Sequence, residues 1–206
     1  MNDSFPPDYP RIFSVLSEMY RTPPTLEGFA SWRSALDGEN VAPLAPLKDE
    51  LGALDVATSA VVDDIQTEFA RLLVGPSSPP SPPWESVYTS PGRLMMQEAY
   101  DSIMALYGRA GFGVTDRTLL EDHLSMELLF LALLLERVAT ADGEKREAAL
   151  AMTDLLLDDH LNKWIVPFTQ DMERAARVPL YKALARVTRD MVSLIQADGS
   201  DGAAEG

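Results

Sequence analysis

The sequence of 206 residues contains no cysteine and only two histidines. The absence of cysteine excludes disulfide bonds, thiolate catalysis and zinc–thiolate sites. Basic residues are also few: 17 Lys and Arg stand against 32 Asp and Glu, which gives a formal net charge of −15. Because a basic face supplies most of the affinity for nucleic acids and anionic membranes, this charge argues against both classes of partner.

Long hydrophobic runs are missing as well. The longest, Leu128–Leu135, is too short for a bilayer span, which needs about 20 apolar residues. The N-terminal sequence MNDSFPPDYPR has neither the basic nor the apolar region of a secretory signal. We therefore expect a cytoplasmic protein without stable membrane insertion.

Apolar residues make up 46% of the chain and recur with helical spacing almost throughout, whereas strand-like alternation and internal repeats are not visible. This pattern predicts an all-α fold: a single-domain helical bundle of about eight to ten helices with a long proline-rich loop. The domain is expected to span residues 1–196. The small and polar residues 197–206 are predicted to form a disordered tail.

The clearest helix begins after Thr58 and stops at Gly75-Pro76. Its apolar residues fall on one continuous face: Val61, Val62, Ile65, Phe69, Leu72 and Leu73. A second helix, from about Thr118 to Val138, is apolar nearly all round, which is typical of a helix in the centre of a bundle.

Between these helices the chain is rich in proline up to about Ser90, far longer than a usual helix connection of about 2–8 residues. Trp84 and Tyr88 at its far end offer large apolar faces with polar edges, and Glu85 is placed to line a rim. The segment is therefore predicted to wall a peptide groove, or alternatively to anchor the loop onto the bundle. Pro91 is expected to open the next helix, with Leu94 and Met95 buried.

Asp122-His123 stands at the start of the central helix, with Glu127 four residues after His123 on the same face. These groups could perform acid–base chemistry, or bind a metal with His160 as a third ligand, but two ligands do not make a site. A structural interpretation remains open beside this one. In it, His123 hydrogen-bonds to the backbone or caps a neighbouring element, Asp122 is favoured by the helix dipole, and Glu127 has a structural partner such as an arginine, a backbone donor or water.

The chain resembles the TorD/DmsD/NarJ superfamily of redox-enzyme maturation chaperones, and its DmsD-like branch most closely. The resemblance lies in EFARLLVGP (68–76), SPPWESVY (81–88), EDHLSMELLFLALLL (121–135), HLNKWIVPF (160–168) and PLYKALA (179–185). It implies a cytoplasmic all-α protein without enzymatic turnover or cofactor. Such a protein would bind the twin-arginine signal peptide of a molybdoenzyme catalytic subunit and hold back its export until the cofactor is inserted.

The resemblance also implies a peptide-binding surface. Carried over residue by residue, it comprises Phe69, Leu72, Leu73, Pro83, Trp84, Asp122 and His123, and the loop adds Glu85 and Tyr88. Phe69 stands where close relatives carry Trp, and Leu73 where the family usually has Phe, so client preference is expected to differ. Apolar groove residues would bury the apolar stretch of the leader, Asp122 would attract its arginines, and His123 would make the site pH-sensitive near neutrality.

The expected partners are the twin-arginine leader and precursor of a molybdopterin oxidoreductase subunit, together with export machinery. A mainly monomeric state is expected, although the long loop would permit a domain-swapped dimer. Some TorD-type members bind guanine nucleotides, but this sequence contains no motif of a phosphate-binding loop, so such binding is not expected. Two other functions stay open at this point: a small enzyme or metalloprotein using Asp122, His123 and Glu127, and a general helical adaptor.

Overall fold

Helices account for most of the computed structural model, which describes residues 5–54, 58–75, 78–113 and 119–203, with side chains as far as residue 196. The α-helices are α1 (Tyr9–Arg21), α2 (Leu26–Leu36), α3 (Ala45–Ala53), α4 (Ser59–Phe69), α5 (Glu85–Thr89), α6 (Glu98–Ala110), α7 (Leu124–Thr140), α8 (Gly143–Leu156), α9 (Asn162–Ala175) and α10 (Pro179–Ala203). A 3₁₀ turn (Ala42–Leu44) precedes α3. Two π-helical turns, Ala70–Val74 and Leu157–Leu161, follow α4 and α8.

No strand forms in the described ranges, where extended pairing is limited to one isolated bridge between Trp84 and His123. The all-α prediction is confirmed, and the ten α-helices of the described ranges agree with the expected eight to ten. No helix in the same part of the chain is long and apolar enough to cross a bilayer.

Helix α7 lies in the centre of the bundle, packed between α1 and α8, while α10 packs on α9 and α3. Eleven of the 17 residues of α7 are buried, which confirms the position predicted from its apolar surface. Every large apolar side chain that α7 contributes to the core leaves water, at about 25 cal/mol for each Å² buried. The core cluster is continuous from α1 to α10.

The start of α6 differs from the prediction. Pro91 does not open a helix: the chain turns through residues 91–97, with Arg93 and Met96 at positive φ, and α6 begins only at Glu98. The expected burial of Leu94 and Met95 is wrong, since their exposed fractions are 58% and 41%. The hydroxyl of Ser90 accepts a hydrogen bond from Leu94 N (2.8 Å), which closes a turn in place of a helix.

Two other boundaries also move. The central helix starts at Leu124 and not near residue 118, because His123 caps it, and residues 114–118 lie outside the described ranges. The last helix extends to Ala203 and not to about Gln196, so the backbone of residues 197–203 is helical where a disordered tail was predicted. Its sequence contains glycine but no proline that would break the helix. Residues 204–206 of that predicted tail lie outside the described part.

Gly75 ends the π turn with φ +40° and ψ 151°, a conformation that side chains of other residues rarely adopt. A Cβ atom there would lie 3.1 Å from the backbone of Pro79, a contact so tight that Pro79 would have to shift to accept it. Glu68 and Arg71 hold the same turn from the other side through two hydrogen bonds of 2.7 and 2.8 Å.

Gly75→Ala should lower the free energy of unfolding by about 1–3 kcal/mol, because it combines backbone strain with a close contact to Pro79. The measurement is urea denaturation followed by circular dichroism. Gly108→Ala is the matched control: it lies in α6 with open space around the Cβ position, and should raise stability by about 0.5–1 kcal/mol. Equal effects of the two substitutions would contradict the role of Gly75.

Candidate functional site

The end of the proline loop is joined to the start of α7 by a short antiparallel backbone pairing. Glu85 N donates to Asp122 O and Leu124 N donates to Pro83 O, both at 2.9 Å. These bonds bracket the bridge between Trp84 and His123. Two segments that the sequence separates by almost 40 residues are thus joined, and six of the nine predicted site residues lie in this pairing or in α5 next to it.

Asp122 is fully buried and points at α5, not at solvent. Its carboxylate accepts hydrogen bonds from Ser86 N (3.1 Å) and Ser86 Oγ (2.5 Å), in the first turn of that helix. Burial raises the pKa of Asp122, and the two hydrogen bonds from Ser86 oppose that shift. The carboxyl group therefore caps a short helix, and in this structure it does not face an incoming arginine as the sequence analysis expected.

His123 is the N-cap of α7. Its Nδ1 accepts from Ser125 N (3.1 Å) and lies 2.8 Å from Ser125 Oγ, while its ring meets the Trp84 ring edge to face at 5.4 Å. Burial, assisted by the charge of Arg21, lowers the pKa of His123 to about 3. The imidazole is consequently neutral at physiological pH, and the prediction that it makes the site pH-sensitive near neutrality is wrong.

The buried, neutral His123 should make the protein acid-sensitive. Its pKa is about 3 when folded against 6.5 when unfolded, so the unfolded state binds the proton first and stability falls as pH drops from about 6.5 towards 3. His123→Asn keeps an N-cap side chain that cannot titrate. Between pH 7 and pH 5 the variant should lose about 2 kcal/mol less unfolding free energy than the wild type in urea titrations. Identical pH slopes would contradict this.

A second buried polar group lies beneath α5. Glu85 Oε2 is 2.8 Å from His160 Nδ1, and Ser102 Oγ is 3.4 Å from His160 Nε2. Glu127 accepts a hydrogen bond from Trp164 Nε1 at 3.1 Å. Burial and the neighbouring charge of Glu85 raise the pKa of Glu127 well above its ordinary value, which favours the protonated form. The interpretation of Glu127 as a residue with a buried structural partner is thereby supported.

Glu127→Gln should stabilise the protein at neutral and alkaline pH. The wild-type carboxyl holds its proton to higher pH when folded than when unfolded, where it ionises above about pH 4.5, so the free energy of unfolding falls as pH rises from there towards the raised pKa. Glutamine keeps the acceptor for Trp164 and removes this loss. Thermal melts between pH 5 and pH 8.5 measure it, with the exposed Glu136→Gln on the same helix as control. A parallel pH dependence in all three proteins would refute the assignment.

The predicted groove residues on the α4 side lie in the core. Phe69, Leu72 and Leu73 are no more than 2% exposed, and the ring of Phe69 packs at 6.5 Å from that of Tyr181. Pro83 is also buried. They do not line an open surface here, because all three belong to the buried core of the bundle. Their contact with a peptide stays a prediction.

Trp84 and Tyr88 are the half-buried members of the predicted set. Tyr88 packs on Trp164 (5.7 Å between ring centroids) and on Phe168 (6.0 Å), so it anchors α5 to α9. Trp84 keeps part of its ring at the surface beside His123. The anchoring alternative therefore holds for Tyr88, while Trp84 both anchors the loop and remains reachable.

An open cleft of about 330 Å³ lies between α5, α6 and the π turn that precedes α9. Its wall contains the residues Glu85, Glu98, Ser102, Asp159, His160 and Lys163. The buried Glu85–His160 pair lies at its inner side, whereas Glu98, Asp159 and Lys163 are exposed. Chemically this is a polar cleft with more carboxylates than cations, suited to a positively charged group.

Sequence reasoning identified Glu85 and mentioned His160, but it did not join them, since 75 residues separate the two. It missed Ser102, Glu98 and Asp159, which carry no motif. For the metal interpretation, the described residues hold no group of three or more acidic or histidine side chains arranged around a common point. His160 faces Glu85 and His123 faces Ser125, so the expected ligand set is not brought together.

Comparisons with known proteins agree with this architecture. The model of the family described as nitrate reductase delta subunit matches residues 34–170, which include the cleft and the pairing between the proline loop and α7. A solved structure from Archaeoglobus fulgidus, assigned as a redox enzyme maturation protein, is 16% identical over 91% of this chain and 93% of that chain, with a TM-score of 0.62. At that identity the likeness shows the fold alone. A comparison with curated proteins finds no match.

Proposed function

Because the chain belongs to the nitrate reductase delta subunit family, we propose that it binds the twin-arginine leader of a molybdoenzyme catalytic subunit and holds that precursor until its cofactor is inserted. The family and the structural neighbour are redox-enzyme maturation chaperones and not catalysts. The observation that carries the proposal is the family match over residues 34–170, since it spans α3 to α9 and thus both walls of the cleft.

The chemistry of the site supports a basic peptide as ligand. A twin-arginine leader carries two adjacent guanidinium groups followed by an apolar stretch. The cleft offers Glu98 and Asp159 near its mouth, and the net charge of −15 would accelerate encounter with a cationic segment. Since the leader exists on the precursor before export, the chaperone is proposed to act in the cytoplasm.

Trp84 is the member of the predicted site best placed to touch the peptide. Its ring is half-buried, and its Nε1 is buried without a hydrogen-bond partner in the described part of the chain, so the part of Trp84 that a ligand can reach is the apolar ring. That ring would bury an aliphatic side chain of the peptide. The buried residues Asp122 and His123 then support the site by holding the loop in place.

Trp84→Ala should weaken binding of a synthetic twin-arginine leader by about 10-fold or more, because aromatic anchors dominate such interfaces. Isothermal titration calorimetry measures the affinity, and circular dichroism checks that the variant is folded. The control variant is Leu26→Ala, which trims a more exposed apolar side chain (47% exposed) on α2. A wild-type protein that does not prefer this leader over one with glutamines in place of both arginines would refute the proposed function.

A further inference from the structure

We infer that the leader is read by two adjoining surfaces: its arginines by the polar cleft, and its apolar stretch by a ridge formed by Leu94, Met95 and Met96. This inference rests on the proposed function and assigns to it residues that lie outside the predicted site. The ridge joins the cleft directly, since Pro91 and Gln97, on either side of it, both line the cleft.

The ridge is an ordered part of the fold. At one end Ser90 Oγ accepts from Leu94 N (2.8 Å) and donates to Leu94 O (3.2 Å). At the other end Gln97 Nε2 donates to Met95 O (3.0 Å) and to Met96 O (3.3 Å). Four of its backbone polar groups are thus used by neighbouring side chains, and its three apolar side chains are exposed.

The ridge also has a fixed relation to the rest of the site. The guanidinium of Arg93 lies 5.0 Å from the centre of the Tyr88 ring and 3.9 Å from Asp171 on α9. Arg93 and Met96 both adopt positive φ, which is costly for residues other than glycine and is maintained only where the surroundings impose it. Holding this segment at the edge of the cleft therefore has a cost in backbone free energy.

Exposure of the ridge is unusual for a water-soluble surface. Leu94, Met95 and Met96 are consecutive and are 58%, 41% and 58% exposed. Single exposed apolar residues are common, but a contiguous apolar run on a fixed turn marks an interaction surface. Methionine adapts to irregular partners because it is unbranched and flexible, which suits an apolar stretch of variable sequence.

The kind of ligand follows from the arrangement of the two surfaces, an acidic cleft with an apolar ridge beside it. The cleft wall carries three carboxylates, Glu85, Glu98 and Asp159, and one lysine, Lys163, which is paired with Asp159 at 3.3 Å. Glu98 has no ion-pair partner among the described residues, so a cation can bind there without displacing another. A ligand that fits both surfaces must be cationic at one point and apolar immediately beside it, as a twin-arginine leader is.

The cleft is tested with Glu98→Gln/Asp159→Asn, which removes two exposed charges and keeps shape. Its probe is a synthetic twin-arginine leader, and the reference probe carries glutamines in place of both arginines. We expect the variant to bind the arginine leader roughly 2- to 20-fold more weakly and the glutamine leader unchanged. The matched control, Asp63→Asn/Asp64→Asn, removes the same charge from exposed positions on α4 and should leave both affinities at the wild-type value.

The ridge is tested with Met95→Ser/Met96→Ser. This variant should bind the full leader about 10-fold more weakly than the wild type does. A truncated probe that contains the arginines but lacks the apolar stretch should bind the variant and the wild type equally. The control, Leu26→Ser/Val61→Ser, removes two apolar side chains of comparable exposure (47% and 39%) from α2 and α4, and should bind normally.

The outcomes separate the two proposals. If the wild type does not bind the arginine leader, the proposed function fails. If the wild type binds it and both surface variants bind equally well, the function stands and the assignment of cleft and ridge is overturned. Light scattering completes the test: a wild-type dimer that Met95→Ser/Met96→Ser converts to monomer would show that the ridge pairs two copies of this chain, which also overturns the assignment.

Discussion

The backbone pairing of residues 83–85 with residues 122–124 is the constraint on which the candidate site depends. It brings the Asp122 carboxylate to the first turn of α5 and places His123 as the cap of α7. The 122–124 segment therefore stabilises the start of both helices. A five-residue helix such as α5 has no stability of its own, and it exists because this pairing and the Asp122 cap hold it. With α5 in place, Glu85 meets His160 and Tyr88 meets α9.

Around this pairing, some polar side chains serve only to hold the structure together, and others face the cleft where a ligand can reach them. Asp122, His123 and Glu127 are buried, hydrogen-bonded groups whose shifted pKa values record their removal from water. Glu98 and Asp159 instead keep ordinary access to solvent at the cleft. The three residues that the sequence marked as candidates for chemistry thus support the site from inside, whereas Glu98 and Asp159, which belong to no motif, face the open cleft.

Features that depend on local spacing were predictable, whereas features that depend on distant contacts were not. The all-round apolar surface of α7 indicated its central position, and the dipeptide at 122–123 indicated a helix start. The Glu85–His160 pair joins residues 75 positions apart, so no local pattern predicts it. The Leu94-Met95-Met96 segment resembles a core stripe in composition, and its exposure follows from hydrogen bonds made by Ser90 and Gln97 that carry no distinctive signal. Phe69, Leu72 and Leu73 were predicted to form a groove wall from their apolar stripe and from the resemblance, but the packing of the bundle buries all three.

The length of the π turn at Leu157–Leu161 determines how α8 and α9 are oriented relative to each other. A π turn holds one residue more than the α-helix that it interrupts, and His160 lies within it. Loss of a single residue there would restore a continuous α-helix and rotate α9 relative to α8 by about 100°, which would carry His160 away from Glu85 and Trp164 away from Glu127. It is therefore the length of this segment, and not only the identity of its residues, that keeps His160 and Trp164 at their buried partners.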